Sequence, residues 1–319
     1  MTRVLKFLRL IKWQALLYAI FVMVVMRFFV IKSILDVNAF QLAMTNFGFG
    51  LLVLTVCLLI AATNILNEFY DTLFNNRYSD ESLGLVGNVI SRRTAKRLHA
   101  VFNIVALLIL YYLCYLVKLE NLFILFVLLC GILWFYSSSY KRQLIAPFIV
   151  SFLFALIPFF TVVFEIPLLN NRYSDLLIST STNFVYILNW LVGFSCFIFA
   201  NTLLYELNKS IYSVQQDWDH GLKTLPVALG VRKTVYILLI LIVIVLAGIL
   251  TLYVKVFSGD EYMFAYICGL SVTYILYAES LWSKHPSRKV QLNFLQFIMV
   301  LSISGAFLLN HFFQFLFAR

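Results

Sequence analysis

Asn67, Asp71 and Asn75 stand four residues apart, with Glu68 beside the first of them, directly after an apolar run that ends near Ala62. On a continuing helix that spacing puts the three side chains on one face. Carboxylates and amides at the end of an apolar helix are costly to place, and they mark a site for an ion or an ion-bearing ligand. A second polar stretch supplies Glu206, Lys209, Asp217, Asp219 and Lys223, while Arg77, Arg92, Arg93, Lys96 and Arg97 surround the first. Acids that hold a hard divalent cation, mixed with bases that hold phosphate oxygens, suit a metal with a phosphorylated ligand. Asp219 is two residues from Asp217 and so faces away from it on a helix, which makes it a solvated charge. His220 is a loop residue, since no second His or Cys is spaced for a metal.

The elements that position these residues follow from composition. With 319 residues, 63% of them hydrophobic, 12% charged and a mean hydropathy of +0.94, the chain departs from soluble domains, which are about 45 to 50% apolar. It reads as an all-α integral membrane protein. Windows of about 20 apolar residues, enough to cross a bilayer, fall near 14–35, 45–66, 98–117, 121–139, 144–169, 183–204, 234–257, 262–282 and 290–317. These predict nine transmembrane helices in a bundle around a central cavity opening to the cytoplasm. Residues 1–319 form a single membrane domain in this reading, with cytoplasmic loops at 67–97 and 205–233 capping the cavity.

Alternating sides from a cytoplasmic N-terminus places 18 of the 24 basic residues inside, as the positive-inside rule asks. The C-terminus then lies on the opposite side. The net charge of +10 is accounted for by topology and implies no nucleic acid. Cys57, Cys114, Cys130, Cys196 and Cys268 lie in apolar windows without paired spacing and act as small hydrophobes. The first window is a retained span preceded by Arg3, Lys6, Arg9 and Lys12. Pro147 and Pro158 break the fifth window and Pro167 follows it, and Glu165 at its outer end has no assigned role.

The most specific string is Asp217-Trp-Asp-His-Gly-Leu-Lys-Thr-Leu-Pro-Val-Ala-Leu-Gly230, followed by Val231-Arg232-Lys233. It resembles the second signature of the UbiA superfamily of intramembrane prenyltransferases. Asn67, Glu68, Asp71 and Asn75 resemble that family's first signature, and Val86-Gly87 with Ile90-Ser-Arg-Arg-Thr-Ala95 resemble its continuation in geranylgeranylglyceryl-phosphate geranylgeranyltransferase-like members. Tyr136-Ser-Ser-Ser-Tyr-Lys141-Arg142-Gln143 is similar to a third element that brings a tyrosine and bases to the cytoplasmic rim. The resemblance implies a Mg²⁺-dependent transfer of a polyprenyl or geranylgeranyl group from its diphosphate to a lipophilic or phosphoglycerol-like acceptor within the bilayer. It also implies site roles. Asp71 and Asp217 hold the metal, with Asn67, Glu68 and Asn75 completing or orienting its shell, and Lys141, Arg142, Lys209, Lys223 and Arg77 bind diphosphate. Asp71, Asp217 and Lys141 are the catalytic set.

Departures from the pattern sit at Asn75, Ser210 and Ser213, where relatives carry acids, and at Glu68, where they carry Asp. Asp80 and Glu81 stand where bases are expected, while Glu206 and Lys209 match residues that flank the second signature. These departures keep a second reading open: a catalytically degenerate membrane subunit or lipid-binding protein, with a membrane protein partner, that kept the fold. A transporter reading rests on the two matched polar loops alone.

Overall fold

The computed structural model describes residues 3–78, 85–88, 90–175, 184–219, 221–282 and 287–317. Its named elements are all helical. The first half of the chain forms α1 (Arg3–Ile11), α2 (Trp13–Val37), α3 (Asn46–Tyr78), α4 (Arg92–Val117), α5 (Leu122–Ser138), α6 (Ala146–Ala155) and α7 (Ile157–Arg172). The second forms α8 (Tyr186–Ile211), α9 (Val214–Asp219), α10 (Leu225–Leu229), α11 (Val231–Leu252), α12 (Glu261–Ser280), α13 (Arg288–Ser304) and α14 (Leu309–Phe317). A π turn at Met26–Ile31 interrupts α2, another at Tyr253–Phe257 ends α11, and a 3₁₀ turn at Gly305–Leu308 joins α13 to α14.

Among the described residues, seven helical segments are long and apolar enough to cross a membrane. The windows predicted at 121–139 and 262–282 fall on α5 and α12, which lie outside that set. The 17 residues of α5 reach about 25 Å at the rise of an α-helix, short of a hydrocarbon core of about 30 Å. Polar side chains dilute α12, with Tyr262, Tyr266, Thr273, Tyr274 and Tyr277 spread along it. The break in the fifth window falls at Leu156. Pro158 sits in the first turn of α7, where its missing N–H has no intrahelical acceptor to serve. Pro167 lies inside α7 rather than after it.

The chain divides into two compact units, each discontinuous in sequence. The first comprises Met1–Met23, Ala43–Lys141 and Val163–Thr180. Its core is α3, packed on α4 and α5 with α1 laid against it. With 33 residues, α3 is about 50 Å long, longer than a hydrocarbon core of about 30 Å, and Asn67 and Asp71 stand toward its C-terminal end. Leu10, Ile65, Leu66, Phe69, Val86 and Ala95 form a buried cluster at that end. Asn64 Nδ2 donates to Ile11 O at 3.0 Å, which satisfies a free carbonyl where α1 stops and Lys12 turns to a φ of +51°. Ser91 caps α4 by accepting from Thr94 N at 3.1 Å, one of the donors that a helix start leaves without a partner.

Glu165 has a structural role that its sequence position did not disclose. Its side chain is fully buried, and Oε1 accepts from Ala43 N at 2.5 Å and Met44 N at 3.0 Å. Those amides belong to the non-helical stretch before α3, where lipid offers no hydrogen bonds. The carboxylate from α7 supplies the missing acceptor.

The second unit comprises Val24–Leu42, Arg142–Val162 and Ser181–Arg319. Here α8 is central and packs on α6, α11 and α13. Asn201 of α8, only 1% exposed, donates from Nδ2 to Ser302 Oγ at 3.0 Å and accepts at Oδ1 from the Tyr274 hydroxyl at 2.5 Å. This crosspiece ties α8, α12 and α13 together.

Replacing Glu165 with Ala orphans two amides whose hydrogen bonds to a charged acceptor contribute about 1.5 to 3 kcal/mol each. The expected result is a lowered thermal unfolding midpoint in detergent, with Glu165→Gln, which keeps an acceptor oxygen, falling between the two. A midpoint for Glu165→Ala equal to wild type would contradict this role.

Candidate functional site

The first polar segment stays helical, as its spacing requires, because α3 runs without a break through Tyr78. Asn67 is 6% exposed, and its Oδ1 is buried without a hydrogen-bond partner among the described residues. Asp71, one turn further, is paired with Lys141, which arrives from the short 3₁₀ turn Tyr140–Arg142 after α5. The lysine and aspartate side chains are 24% and 37% exposed, so the pair is open to a ligand yet less screened than a surface ion pair. Glu68 accepts from Leu85 N at 2.9 Å and fixes the chain that follows the helix. Gly87 turns that chain with a φ of +99°, and Gly87 N bonds Ile90 O at 2.8 Å. Lys96 places its ammonium over the Phe69 ring at 5.1 Å, where it contributes to packing.

In the second unit Asp217 acts as a clasp. Its Oδ2 accepts from Ser213 Oγ and Thr224 Oγ1, both at 3.0 Å, joining the two ends of the segment. The backbone repeats the tie, with Asp217 N on Ser213 O and Leu222 N on Asp217 O, each at 2.8 Å. Between them Gly221 has a φ of +66°, a conformation glycine adopts without strain. Ser213, read from sequence as a lost acid, is a hydrogen-bond donor to the acid that remains. Ser210 turns its hydroxyl back on Leu207 O at 2.7 Å. Lys209 forks onto Glu206, at 3.2 Å to Oε1 and 2.9 Å to Oε2. Lys223 is exposed, and Asp219 takes Gln215 Nε2 at 3.0 Å on the solvent side.

Two positioning residues escaped the sequence reading. The Tyr212 hydroxyl donates to Gln291 Oε1 at 2.6 Å, and Gln291 Nε2 donates to Ser280 O at 2.8 Å. Burial pushes the Tyr212 phenol up, with Arg288 acting in the opposite sense, so it remains a donor at neutral pH. This contact anchors the start of the second segment to α13. Neither residue belongs to a signature, and only pairing across 79 positions gives them meaning.

The side chains of Asn75, Arg77 and Arg142, together with residues 79–84 and His220, lie outside the described residues. Among the described residues no three His, Cys, Asp or Glu side chains form a group able to hold a metal. The donors that remain are nonetheless suited to Mg²⁺. Asn67 Oδ1 is a buried oxygen lacking a donor, Asp71 on the next turn is a carboxylate, and Mg²⁺ commonly takes only one or two protein oxygens while keeping its waters.

The model of the UbiA prenyltransferase family matches residues 38–302, a span that takes in both polar segments. No curated protein sequence matches the chain. Among solved structures, a digeranylgeranylglyceryl phosphate synthase aligns over 96% of this chain and 99% of its own, with a TM-score of 0.60 at 18% identity. The apo UbiA homologue of Aeropyrum pernix K1 aligns over 98% of this chain and 99% of its own, with a TM-score of 0.62 at 14% identity. The UbiA homologue of Archaeoglobus fulgidus bound to GPP and Mg²⁺ aligns over 96% and 99%, with a TM-score of 0.60 at 16% identity. At such identities the shared property is the helical fold itself, and the family match supplies what the fold alone does not. A chain that carries that match across both of its polar segments belongs to the UbiA prenyltransferase family.

Proposed function

We propose that this chain is a Mg²⁺-dependent prenyltransferase that moves a polyprenyl or geranylgeranyl group from its diphosphate to a membrane-soluble or phosphoglycerol-like acceptor. In this reading α5 and α12 complete nine crossings, with the N-terminus and both polar segments on the cytoplasmic side and the C-terminus opposite. Family membership supports the reaction class, and the structural neighbour bound to GPP and Mg²⁺ supports the ligand class. The observation that carries the proposal is the Asn67, Asp71 and Lys141 arrangement: an oxygen without a partner among the described residues and a carboxylate on one helix face, with a displaceable cation on the carboxylate.

Lys141 neutralises Asp71 while no dianion is present. An arriving diphosphate competes for the ammonium, and the Asp71 carboxylate and Asn67 Oδ1 then turn to the metal. Lys209, half-buried beside Glu206, behaves alike and exchanges its carboxylate for a phosphate. Lys223 is exposed and takes part without rearrangement. Bound Mg²⁺ would neutralise charge on the departing diphosphate. The bond between the allylic carbon and the diphosphate oxygen breaks with its electron pair leaving on oxygen, and the acceptor forms the new bond and loses its proton. Asp217 is assigned a metal-binding role on its own segment, through the carboxylate oxygen that the two hydroxyls do not use.

The second reading, a membrane subunit that kept the fold without the chemistry, has one observation in its favour. Ser213 and Thr224 satisfy Asp217 with neutral hydroxyls, which is sufficient to explain the acid as a loop clasp.

Purified protein titrated with Mg²⁺ and geranylgeranyl diphosphate separates the readings, with binding and diphosphate release followed together. The enzyme reading expects saturable Mg²⁺-dependent binding, and a loss of release in Asp71→Ala of about a hundredfold or more, the scale of a lost transition-state charge partner. Absence of both binding and release leaves the subunit reading. Asp217→Asn keeps an acceptor oxygen for the clasp but removes the charge. Lost release with an unchanged melting temperature makes Asp217 a metal ligand, whereas full activity makes it a clasp only.

Ser213→Asp removes a donor and sets a like charge against Asp217. Without metal the variant is expected to lose about 1 to 2 kcal/mol, and Mg²⁺ is expected to raise its melting temperature more than it raises that of wild type. A melting temperature insensitive to Mg²⁺ would show that this segment does not bind the ion.

A further inference from the structure

Within the second unit, α8, α11, α12 and α13 border a half-open hollow of about 350 Å³ at the ends of these helices remote from the Asp217 segment. Trp190, Gly193 and Phe197 of α8 line it, facing Phe257, Leu270 and Gly305. An apolar cavity of roughly 150 Å³ already takes up benzene. A hollow more than twice that size, in helices that cross hydrocarbon, fills with hydrocarbon.

The hollow is built into the backbone. A Cβ at Gly193 would meet nothing within 4 Å, so the glycine leaves open a space that nearly any side chain would enter. At Gly305 a Cβ would come within 2.6 Å of the Tyr266 ring, so glycine there is what lets Tyr266 sit in the wall. The Tyr266 hydroxyl donates to Leu301 O at 2.6 Å, just before α13 gives way to the 3₁₀ turn at Gly305–Leu308. On the facing side the π turn Tyr253–Phe257 contributes Val256 and Phe257. Single π turns in helices are frequent at functional sites.

The hollow is closed toward the Asp217 segment. Asn201 follows Phe197 by one turn and Tyr274 follows Leu270 by one turn, and both bond into the crosspiece with Ser302, itself in the cavity wall. A chain approaching from the signature end meets hydrogen-bonded polar groups, so the occupant enters from the bilayer. Asn189 also lines the cavity and is exposed in the first turn of α8, where an amide suits an ester carbonyl at the edge of the hydrocarbon.

We propose that this cavity is a lipid site, remote from the Asp217 segment, that holds one acyl chain of a bilayer phospholipid with Asn189 at its ester group. The full-length protein in vesicles of phosphatidylcholine doped with a phosphatidylcholine carrying a diazirine on its acyl chain provides the test, with labelled peptides mapped after irradiation. Label should concentrate in 189–197, 249–257 and 263–270, and unlabelled phospholipid should not be able to dilute it as readily as it dilutes label on other helices. Gly193→Phe, which plugs the hollow, should lower label there about tenfold, one decade of affinity. Gly248→Phe, on an exposed part of α11 outside the cavity, should leave it unchanged. Gly193→Leu is the smaller plug if the phenylalanine variant fails to fold, and wild-type protein compared across label positions along the acyl chain gives a readout free of any variant. Even labelling of all lipid-facing helices, label indifferent to either plug, or capture only by a diazirine-bearing prenyl chain would overturn the assignment.

Discussion

In hydrocarbon an amide or carboxylate has no water to fall back on, and that scarcity of partners organises this chain wherever its helices stop or bend. Glu165 is buried because Ala43 and Met44 are amides outside any helix. Asn64 is present because α1 ends against α3, and Asn201 because three helices meet where Tyr274 and Ser302 also need partners. Each of these three side chains answers a particular backbone or side-chain vacancy. Asn67 runs against that logic, since its oxygen is buried and left unmatched among the described residues, an arrangement that costs stability unless a ligand completes it.

The two aspartates of the polar segments show two ways to keep a negative charge at the membrane edge. Asp71 leans on a cation, and a cation can be exchanged for another. Asp217 leans on two hydroxyls, which are neutral, short and fixed by the turn they close. The first arrangement is responsive to charge arriving from outside, and the second is insensitive to it. This difference explains how a chain that lacks acids at Asn75, Ser210 and Ser213 still folds its second segment tightly: the hydroxyl at 213 replaces a carboxylate that would need a metal to be tolerated beside Asp217.

Much of this was legible in the sequence, for physical reasons. Apolar runs of membrane length locate helices because lipid permits little else, and the four-residue spacing of Asn67 and Asp71 identified a helix face because α3 does continue. The turn at Gly221 was readable from the signature string. Long-range pairing was not. Nothing local in Lys141 names Asp71 as its partner, and Tyr212 with Gln291 belongs to no motif. Glu165 had no role in the sequence because its partners lie more than a hundred residues upstream. Pro167 was placed outside its helix because a proline usually ends one, whereas α7 tolerates it. Ser213 was read by what it lacked, and its donor role appears only once the loop is closed.

The length of α3 carries a consequence for the medium in which any chemistry at Asp71 occurs. A helix of about 50 Å exceeds a hydrocarbon core of about 30 Å, so the boundary between low and high dielectric falls along its axis. A molecule with a greasy tail and a charged head that lies along such a helix is partitioned by the solvent itself: each part remains in the phase it prefers. The protein is thereby relieved of drawing an anion into oil, and the bond joining head to tail is held where the two media meet.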